Sequence, residues 1–401
     1  MLKRSFLLLF FISTFLSAKN IDEIVENSFK KNYSLKALEE SINDIKQQIS
    51  LSSKWKNPTL SFGATDVQFN DSLSRDKEPM QAQFIGFSQV VPLGDKLEVE
   101  KDIALNDYEI SKYIVEDKKL LYKSKIYEYI YNIKLLEERL SLFEKFKVNT
   151  KKLEDLFTQL YKYNKASQKE ILNTQIIYHE LNLKTQKLKS MLNIEKIKLE
   201  EISYEKYKNI DIDMEIKKIN LFPQIDKHPK ILSLKESSKK FENISKLEKE
   251  KKNSDINFTL TYFQRDNKYD DYVNFAVAIP LSIYGSEDIK SRKAKFKTLE
   301  LDNNVKDMKN SFKNQINILQ ENLNVSCETV NIINKDILSR FEQLQKVLES
   351  YNNFNSYKNI DSKSLIKNFN EIIKYKLKVV DEKEIYFNSL AKSIYFTKGI
   401  R

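Results

Sequence analysis

Glycine and proline, the residues that stop helices, are confined almost entirely to two short windows of this chain. Only five Gly and six Pro occur among its 401 residues, and none of them interrupts residues 95–221 or 286–398. An uninterrupted stretch of that kind is either a long helix or a disordered segment. Leu, Ile, Tyr and Phe run through both intervals, whereas disordered segments lack the apolar residues that support a core, so long helices are expected. The first, over 95–163, would hold about 69 residues and extend about 100 Å at ~1.5 Å per residue, far beyond an ordinary globular helix. Such a rod needs partners of equal length. Helices over 19–56 and 168–204, about 75 residues together, match it if stacked end to end. The second, about 71 residues over 285–355, faces 229–252 and 363–396, together roughly 58. Leu136, Leu140, Phe143, Leu153, Phe157 and Leu160 recur mostly at steps of three and four, the spacing of a packed helix seam.

The chain also repeats itself, its second half following the first at an offset of about 190 to 197 residues. Pro92-Leu93-Gly94 aligns with Pro280-Leu281-Ser282, with Gly285 soon after, and Lys31-Asn32-Tyr33 aligns with Lys227-His228-Pro229. Tyr161 to Ser167 corresponds loosely to Tyr357 to Ser362. Each half reads helix, strand, loop, strand, very long helix, turn, helix. The expected organisation is a first repeat over 19–210, with a β-hairpin at 58–92 and a helical hairpin at 95–204. A linker at 211–227 follows, then a second repeat over 228–401, with a β-hairpin at 255–284 and a helical hairpin at 285–397.

The strands of the second half alternate cleanly. Ile256, Phe258, Leu260 and Tyr262 alternate with Asn257, Thr259 and Thr261, giving one apolar and one polar face. The partner over 272–281 sets Val273, Phe275, Val277 and Ile279 against Asn274, Ala276 and Ala278, and the polar loop 265–271 joins the two. Residues 59–69 and 81–91 form a similar, less regular pair across a charged loop containing Asp71, Arg75, Asp76, Lys77 and Glu78. Pro92 with Gly94, and Pro280 with Gly285, fall where a strand hands over to a long helix: Pro ends strand pairing and Gly permits the bend.

Met1-Leu2-Lys3-Arg4, the apolar run 6–16 and Ser17-Ala18 have the layout of a secretory signal peptide cleaved near Ala18. Its apolar core of about 12 residues falls short of the about 20 that a membrane-spanning helix requires. Each strand segment, by contrast, is close to the ~9 to 11 residues with which a tilted strand crosses a bilayer. Four such strands cannot stand alone, because open edges in hydrocarbon leave backbone groups unpaired at several kcal/mol each. The chain must therefore oligomerise. Two copies would supply eight strands and three would supply twelve, and arithmetic alone does not choose.

Chemistry-bearing constellations are sparse. The formal net charge of +11 is spread among Glu and Asp along the helices, so no nucleic-acid partner is expected. Five glycines leave no dinucleotide fingerprint and no phosphate-binding loop, and no cofactor is expected. His179 and His228 are far apart and lack Cys partners, so metal ligation is not expected. His179 is expected to pack along a helix and His228 to mark the start of one. Cys327 has no disulfide partner in the chain and is read as a packing residue. Glu137-Glu138 and Glu200-Glu201 suit a solvated helix surface, and no catalytic residue is assigned.

Asn57-Pro58-Thr59-Leu60-Ser61 and Phe87-Ser88-Gln89-Val90-Val91-Pro92-Leu93-Gly94-Asp95-Lys96 resemble the first-hairpin signature of the outer membrane efflux protein family, the TolC-like ducts. His228-Pro229-Lys230-Ile231, Tyr262-Phe263-Gln264-Arg265 and Val277-Ala278-Ile279-Pro280-Leu281 resemble its second-half signature. Residues Tyr161 to Leu172 are similar to the segment where the family's helical hairpin turns, with Asn164 where the family usually has Gly; Asn tolerates the left-handed conformation. Asn359 takes the comparable place in the second half, where Leu365 replaces the expected acidic residue. The wording Pro-Leu-Gly-Asp-Lys looks most like the heavy-metal efflux (CusC/CzcC-like) branch.

The resemblance implies a mainly α chain with a transmembrane β-barrel. Three protomers would build a twelve-stranded outer-membrane barrel, four strands each, and a long helical tunnel projecting into the periplasm of a Gram-negative cell, with 211–227 as an equatorial linker. It implies a passive exit duct, not an enzyme, that serves a periplasmic adaptor and an inner-membrane efflux pump, with metal cations among the candidate cargoes. Asn164, Ser167, Glu170, Asn359, Asp361 and Ser362 would then lie at the periplasmic mouth. Ser167 and Ser362 are placed to cap the returning helices, and threefold repetition of Glu170 and Asp361 would form acidic rings biased toward cations. Two alternatives stay open, a periplasmic adaptor and an exported structural coiled coil. An adaptor requires Gly-bearing β domains beside a single hairpin, and a coiled coil leaves the strands and signal peptide unexplained.

Overall fold

Long helices take up most of the breaker-free intervals, residues 204–221 excepted, and the four longer strands fall in the Gly- and Pro-bearing windows. The computed structural model describes residues 19–70, 76–354 and 362–397. In chain order these form β1 (Lys19–Asn20), α1 (Ile21–Lys31), α2 (Tyr33–Ser52), β2 (Thr59–Thr65), β3 (Ala82–Val91), α3 (Lys96–Lys162) and α4 (Gln168–Ser203). β4 (Ile210–Asp211), α5 (Pro229–Glu250), β5 (Ile256–Gln264), β6 (Tyr272–Ala278), α6 (Ser286–Ile332), α7 (Ser339–Phe354) and α8 (Ser362–Thr397) follow. Two compact units result. Of the described residues, one comprises those up to Leu35, Lys118–Ile225 and those from Phe312 onward; the other comprises those of Lys36–Asp117 and Asp226–Ser311. Residues 1–18, read above as a signal peptide, lie outside the described residues.

The first unit corrects the single helix expected over 19–56. Residues 19 and 20 are instead a short strand parallel to β4, Lys19 opposite Ile210 and Asn20 opposite Asp211. Asn20 starts the helix behind it: its backbone is extended and its Oδ1 accepts the Asp22 N–H at 3.1 Å. Asn32 then interrupts the helix with φ −71° and ψ 110°, and its Oδ1 accepts the Leu35 N–H at 3.1 Å. Two residues are too few to show alternation, so the parallel pair leaves no periodic signal. Ile21, Ile24 and Val25 of α1 pack with Ile126, Ile130 and Ile133 of α3, Leu199 of α4 and Ile210.

A second cluster joins Tyr131 and Leu135 of α3, Leu323 of α6, and Val380, Tyr386, Phe387 and Leu390 of α8. The segment after β4 lies on this cluster through Ile212, Met214, Ile216, Ile219 and Leu221. Two side chains hold it there. The Tyr386 hydroxyl donates to the Lys217 carbonyl at 2.6 Å and accepts the Lys217 N–H at 3.2 Å. The Gln320 amide donates to the Ile219 carbonyl at 2.8 Å and accepts the Leu221 N–H at 2.7 Å. Backbone groups that lack a ladder are thus paired one by one.

The anticipated α3 seam is present. Leu136, Phe143, Phe157 and Leu160 are buried and Leu140 and Leu153 half-buried, with Leu181 and Leu188 of α4 facing the stretch around Phe143. Ion pairs join α3 to α8: Arg139 with Asp381 and with Glu384 at 2.9 Å, and Lys383 with Glu138 at 2.7 Å.

The helix expected over 285–355 is not one regular helix. A π-helical turn, Ile333–Leu338, separates α6 from α7. Buried residues Phe312, Ile316, Leu319, Leu323, Val330 and Ile333 follow steps of three, four or seven, and the next, Leu338, comes five residues on. The turn therefore absorbs one extra residue and keeps the apolar seam in phase. Lys335 is exposed within it. Deleting Lys335 should restore regular spacing and leave the melting temperature within a few degrees of wild type. Deleting exposed Lys313 instead rotates the rest of the seam by ~100° and should cost several kcal/mol. Thermal melts followed by circular dichroism compare the two, and equal damage would contradict the one-residue insertion.

In the second unit, β2, β3, β5 and β6 form an antiparallel sheet in that order. In the same unit, α5 packs on α6 through small residues. Ser245 and Ser291, both buried, meet with their hydroxyls 2.8 Å apart, and Ser238 donates to Asp302 at 2.7 Å. His228 is the N-cap of α5, its Nδ1 accepting the Lys230 N–H at 3.2 Å ahead of Pro229 in the first turn.

Candidate functional site

The sheet has two unlike faces, and its register makes both continuous. Leu60, Phe87, Leu260 and Phe275 form one row across all four strands, and Phe62, Ile85, Tyr262 and Val273 form the next. Phe258 and Val277 extend this apolar face. All ten side chains are exposed, Phe62 at 82% and Phe275 at 66%. A contiguous apolar face of this kind on a polar chain marks a surface meant for something other than water. The opposite face carries the rows Thr59–Ser88–Thr259–Ala276 and Ser61–Gly86–Thr261–Asn274. Here the Ser88 hydroxyl donates to Asn257 Oδ1 at 2.8 Å and lies 3.1 Å from the Thr259 hydroxyl. β2 and β6 are the outer strands, so each has one edge without a partner strand among the described residues. No described helix is long and apolar enough to cross a membrane.

The junction residues lie between strand and helix. Pro92 and Gly94 follow β3 and precede α3; Pro280 and Gly285 follow β6 and precede α6. Gly94 has φ +70°, and a Cβ there would stand 3.0 Å from Glu250 Oε2 and 3.2 Å from Asn253 Nδ2. Gly285 has φ +69°. Beside Gly94, buried Lys96 reaches from the start of α3 to the Asn253 carbonyl and the Asp255 carboxylate, fastening the exit of β3 to the entrance of β5. This clasp is not legible in the sequence. The signal for it was a Lys directly behind Gly94-Asp95, but its partner lies far along the chain.

At the α3–α4 turn, Asn164 takes φ +56°, the left-handed conformation anticipated for it. Ser167 is the N-cap of α4 and forms a capping box with Glu170, whose carboxylate accepts the Ser167 N–H at 2.5 Å. Nearby, hydrogen bonds from Lys151 at 2.8 Å and Gln175 at 2.9 Å hold the Glu154 carboxyl below its ordinary range and tie α3 to α4. Asn359 and Asp361 lie outside the described residues, and Ser362 is the first residue of α8. His179 lies exposed on α4 with its ring 5.8 Å from Tyr178. Among the described residues, no three His, Cys, Asp or Glu side chains gather as a metal site would require.

No protein-family model matches the chain, and no curated protein matches it in sequence. Solved structures match it in three dimensions. It is similar to the CmeC outer membrane channel of Campylobacter jejuni at a TM-score of 0.74 and 12% identity, over 96% of this chain and 88% of that one. The open MtrE outer membrane channel of Neisseria gonorrhoeae gives 0.72 and 12%, over 94% and 88%. CusC gives 0.73 and 11%, over 93% and 91%. The chain has the outer-membrane channel fold. Within that fold CusC is no nearer than the others, so the heavy-metal branch is not singled out. The four-stranded sheet and the long helices α3 and α6 are the elements of this channel fold described above.

Proposed function

We propose that the chain is the outer-membrane exit duct of a tripartite efflux system. The observation that carries this reading is the four-stranded sheet with an exposed apolar face, a hydroxyl-lined face and two open edges. In hydrocarbon those edges must be paired, and three copies joined β6 to β2 close a twelve-stranded barrel with the apolar rows toward lipid and the hydroxyl rows toward a lumen. The two repeats, 19–210 and 228–401 about the equatorial linker 211–227, place two strands and one long helical hairpin each in every protomer. The mature protein, freed of its signal peptide near Ala18, sits in the outer membrane of a Gram-negative cell with its helices in the periplasm. It passively conducts substrate delivered by an inner-membrane pump through a periplasmic adaptor, and metal cations are among the candidate cargoes. Purified protein should require detergent, cross-link as a trimer and open ion-conducting pores in planar bilayers. A water-soluble monomer without conductance would end this reading.

The periplasmic mouth is assigned to Asn164, Ser167, Glu170, Asn359, Asp361 and Ser362, and the bends at the barrel base to Pro92, Gly94, Pro280 and Gly285. Repeated three times, Glu170 forms an acidic ring that favours cations. Glu170→Gln isolates this charge, since Gln also serves at the third position of a capping box. Reversal potentials should show the cation-to-anion permeability ratio falling about twofold, in keeping with the loss of one of two acidic rings. An unchanged ratio assigns Glu170 to capping alone.

A further inference from the structure

One row of the hydroxyl-lined face is aromatic. Gly63, Phe84, Phe263 and Tyr272 lie directly opposite one another across β2, β3, β5 and β6. They occupy the hairpin-loop end of the sheet, at the start of β3 and β6 and the end of β5. The Phe263 and Tyr272 centroids are 4.8 Å apart with planes 9° from parallel, and Phe84 and Phe263 are 5.6 Å apart at 42°. A separation of 4.8 Å equals the spacing between strands. Coplanar rings so close would overlap, so these stand side by side with faces together and edges pointing away from the sheet. Phe84 also leans over β2: a Cβ on Gly63 would come within 2.8 Å of its ring, and only glycine leaves that room. The shelf thus reaches all four strands. The Arg265 guanidinium bounds it, 5.2 Å from the Tyr272 ring and 5.5 Å from that of Tyr269, held by the Asp270 and Pro79 carbonyls.

We propose that Phe84, Phe263 and Tyr272 form an edge-on aromatic ledge that binds planar aromatic solutes at the exit end of the lumen. This rests on the conduit reading above and adds a substrate class to it. Ring edges carry partial positive charge and ring faces partial negative charge, so a flat solute lying across the ledge meets the Phe263 and Tyr272 edges with its face, the favoured T-shaped contact, and the tilted Phe84 ring extends the shelf toward β2. A non-planar solute of equal size touches the same edges at one point only. The neighbouring rows of Ser, Thr, Gly and Asn offer hydrogen bonds and no such surface. Threefold closure repeats the ledge around the lumen, so a departing aromatic molecule meets one wherever it passes.

Single-channel recording in planar bilayers tests this with two neutral probes of similar mass, planar caffeine and non-planar mannitol, added on the loop side. Caffeine should reduce wild-type conductance with an apparent affinity roughly two- to tenfold above that of mannitol, the range for a net gain of one edge-to-face contact. Phe263→Leu should erase the difference while keeping the probe-free conductance, and Tyr272→Leu, on an outer strand, serves if the first variant makes no pores. Equal effects of caffeine and mannitol on the wild-type pore overturn the ledge and leave the conduit standing. Wild-type protein that passes no current at all overturns the conduit, and the ledge with it.

Discussion

Replacing Leu260 with arginine should keep the protein out of the membrane. Leu260 sits in the middle of the apolar row Leu60–Phe87–Leu260–Phe275, on an inner strand, exposed at 51%. An arginine at mid-depth on the lipid face of a barrel costs about 2–4 kcal/mol. In the trimeric barrel proposed above, three copies would raise this to about 6–12 kcal/mol, comparable to the whole stability of an ordinary domain. Leu260→Arg should therefore disappear from the outer-membrane fraction and give no pores in bilayers. Thr259→Arg places the same charge one residue away on the opposite face and should still insert. If Leu260→Arg inserted normally while Thr259→Arg did not, the two faces would be assigned the wrong way round.

Tyr386→Ala should be the most damaging single change to the helical unit. The ring is fully buried at 0% exposure among Tyr131, Leu323, Val380 and Phe387. Emptying a site of that size costs about 3–5 kcal/mol. The same change strips the Lys217 N–H and carbonyl of the one hydroxyl that pairs both, so the segment lying on the cluster loses packing and hydrogen bonds together. Tyr386→Phe separates the two effects by keeping the ring, and should lose about 1–3 kcal/mol. Thermal melts give the ranking. Trypsin gives the location, because Lys217 and Lys218 lie within the segment and should be cut far sooner in Tyr386→Ala. Equal cleavage rates in wild type and Tyr386→Ala would show that Tyr386 does not hold this segment down.

The parts of this fold that are periodic could be read from residue types alone. The alternation of Phe258, Leu260 and Tyr262 with Asn257, Thr259 and Thr261 became β5, and the spacing of Leu136, Phe143, Phe157 and Leu160 became a buried seam on α3. Left-handed Asn164 followed from the family resemblance, which puts Gly at that position, together with the tolerance of Asn for that conformation. What stayed hidden was either too short or too distant. The β1–β4 pair holds two residues per strand, and the π turn advances the seam by one residue while Ile333, Ile337 and Leu338 all read as acceptable apolar positions. Lys96 with Asp255, and Tyr386 with Lys217, join groups more than a hundred residues apart, and one sequence offers no signal that pairs them. The aromatic row needed the register, because Phe84 sits in the less regular strand and shares a face with Phe263 and Tyr272 only once β3 is aligned with β5.

The two outer strands of the sheet differ in sequence, one ending in Gly63-Ala64-Thr65 and the other in Ala276-Val277-Ala278. A joint between unlike margins is head-to-tail, and it confers a direction on assembly. In the proposed ring each arriving copy would satisfy one adhesive margin and present another, so partial assemblies would stay as reactive as a lone subunit. Only the joint that closes that ring, removing both margins at once, would yield an inert particle.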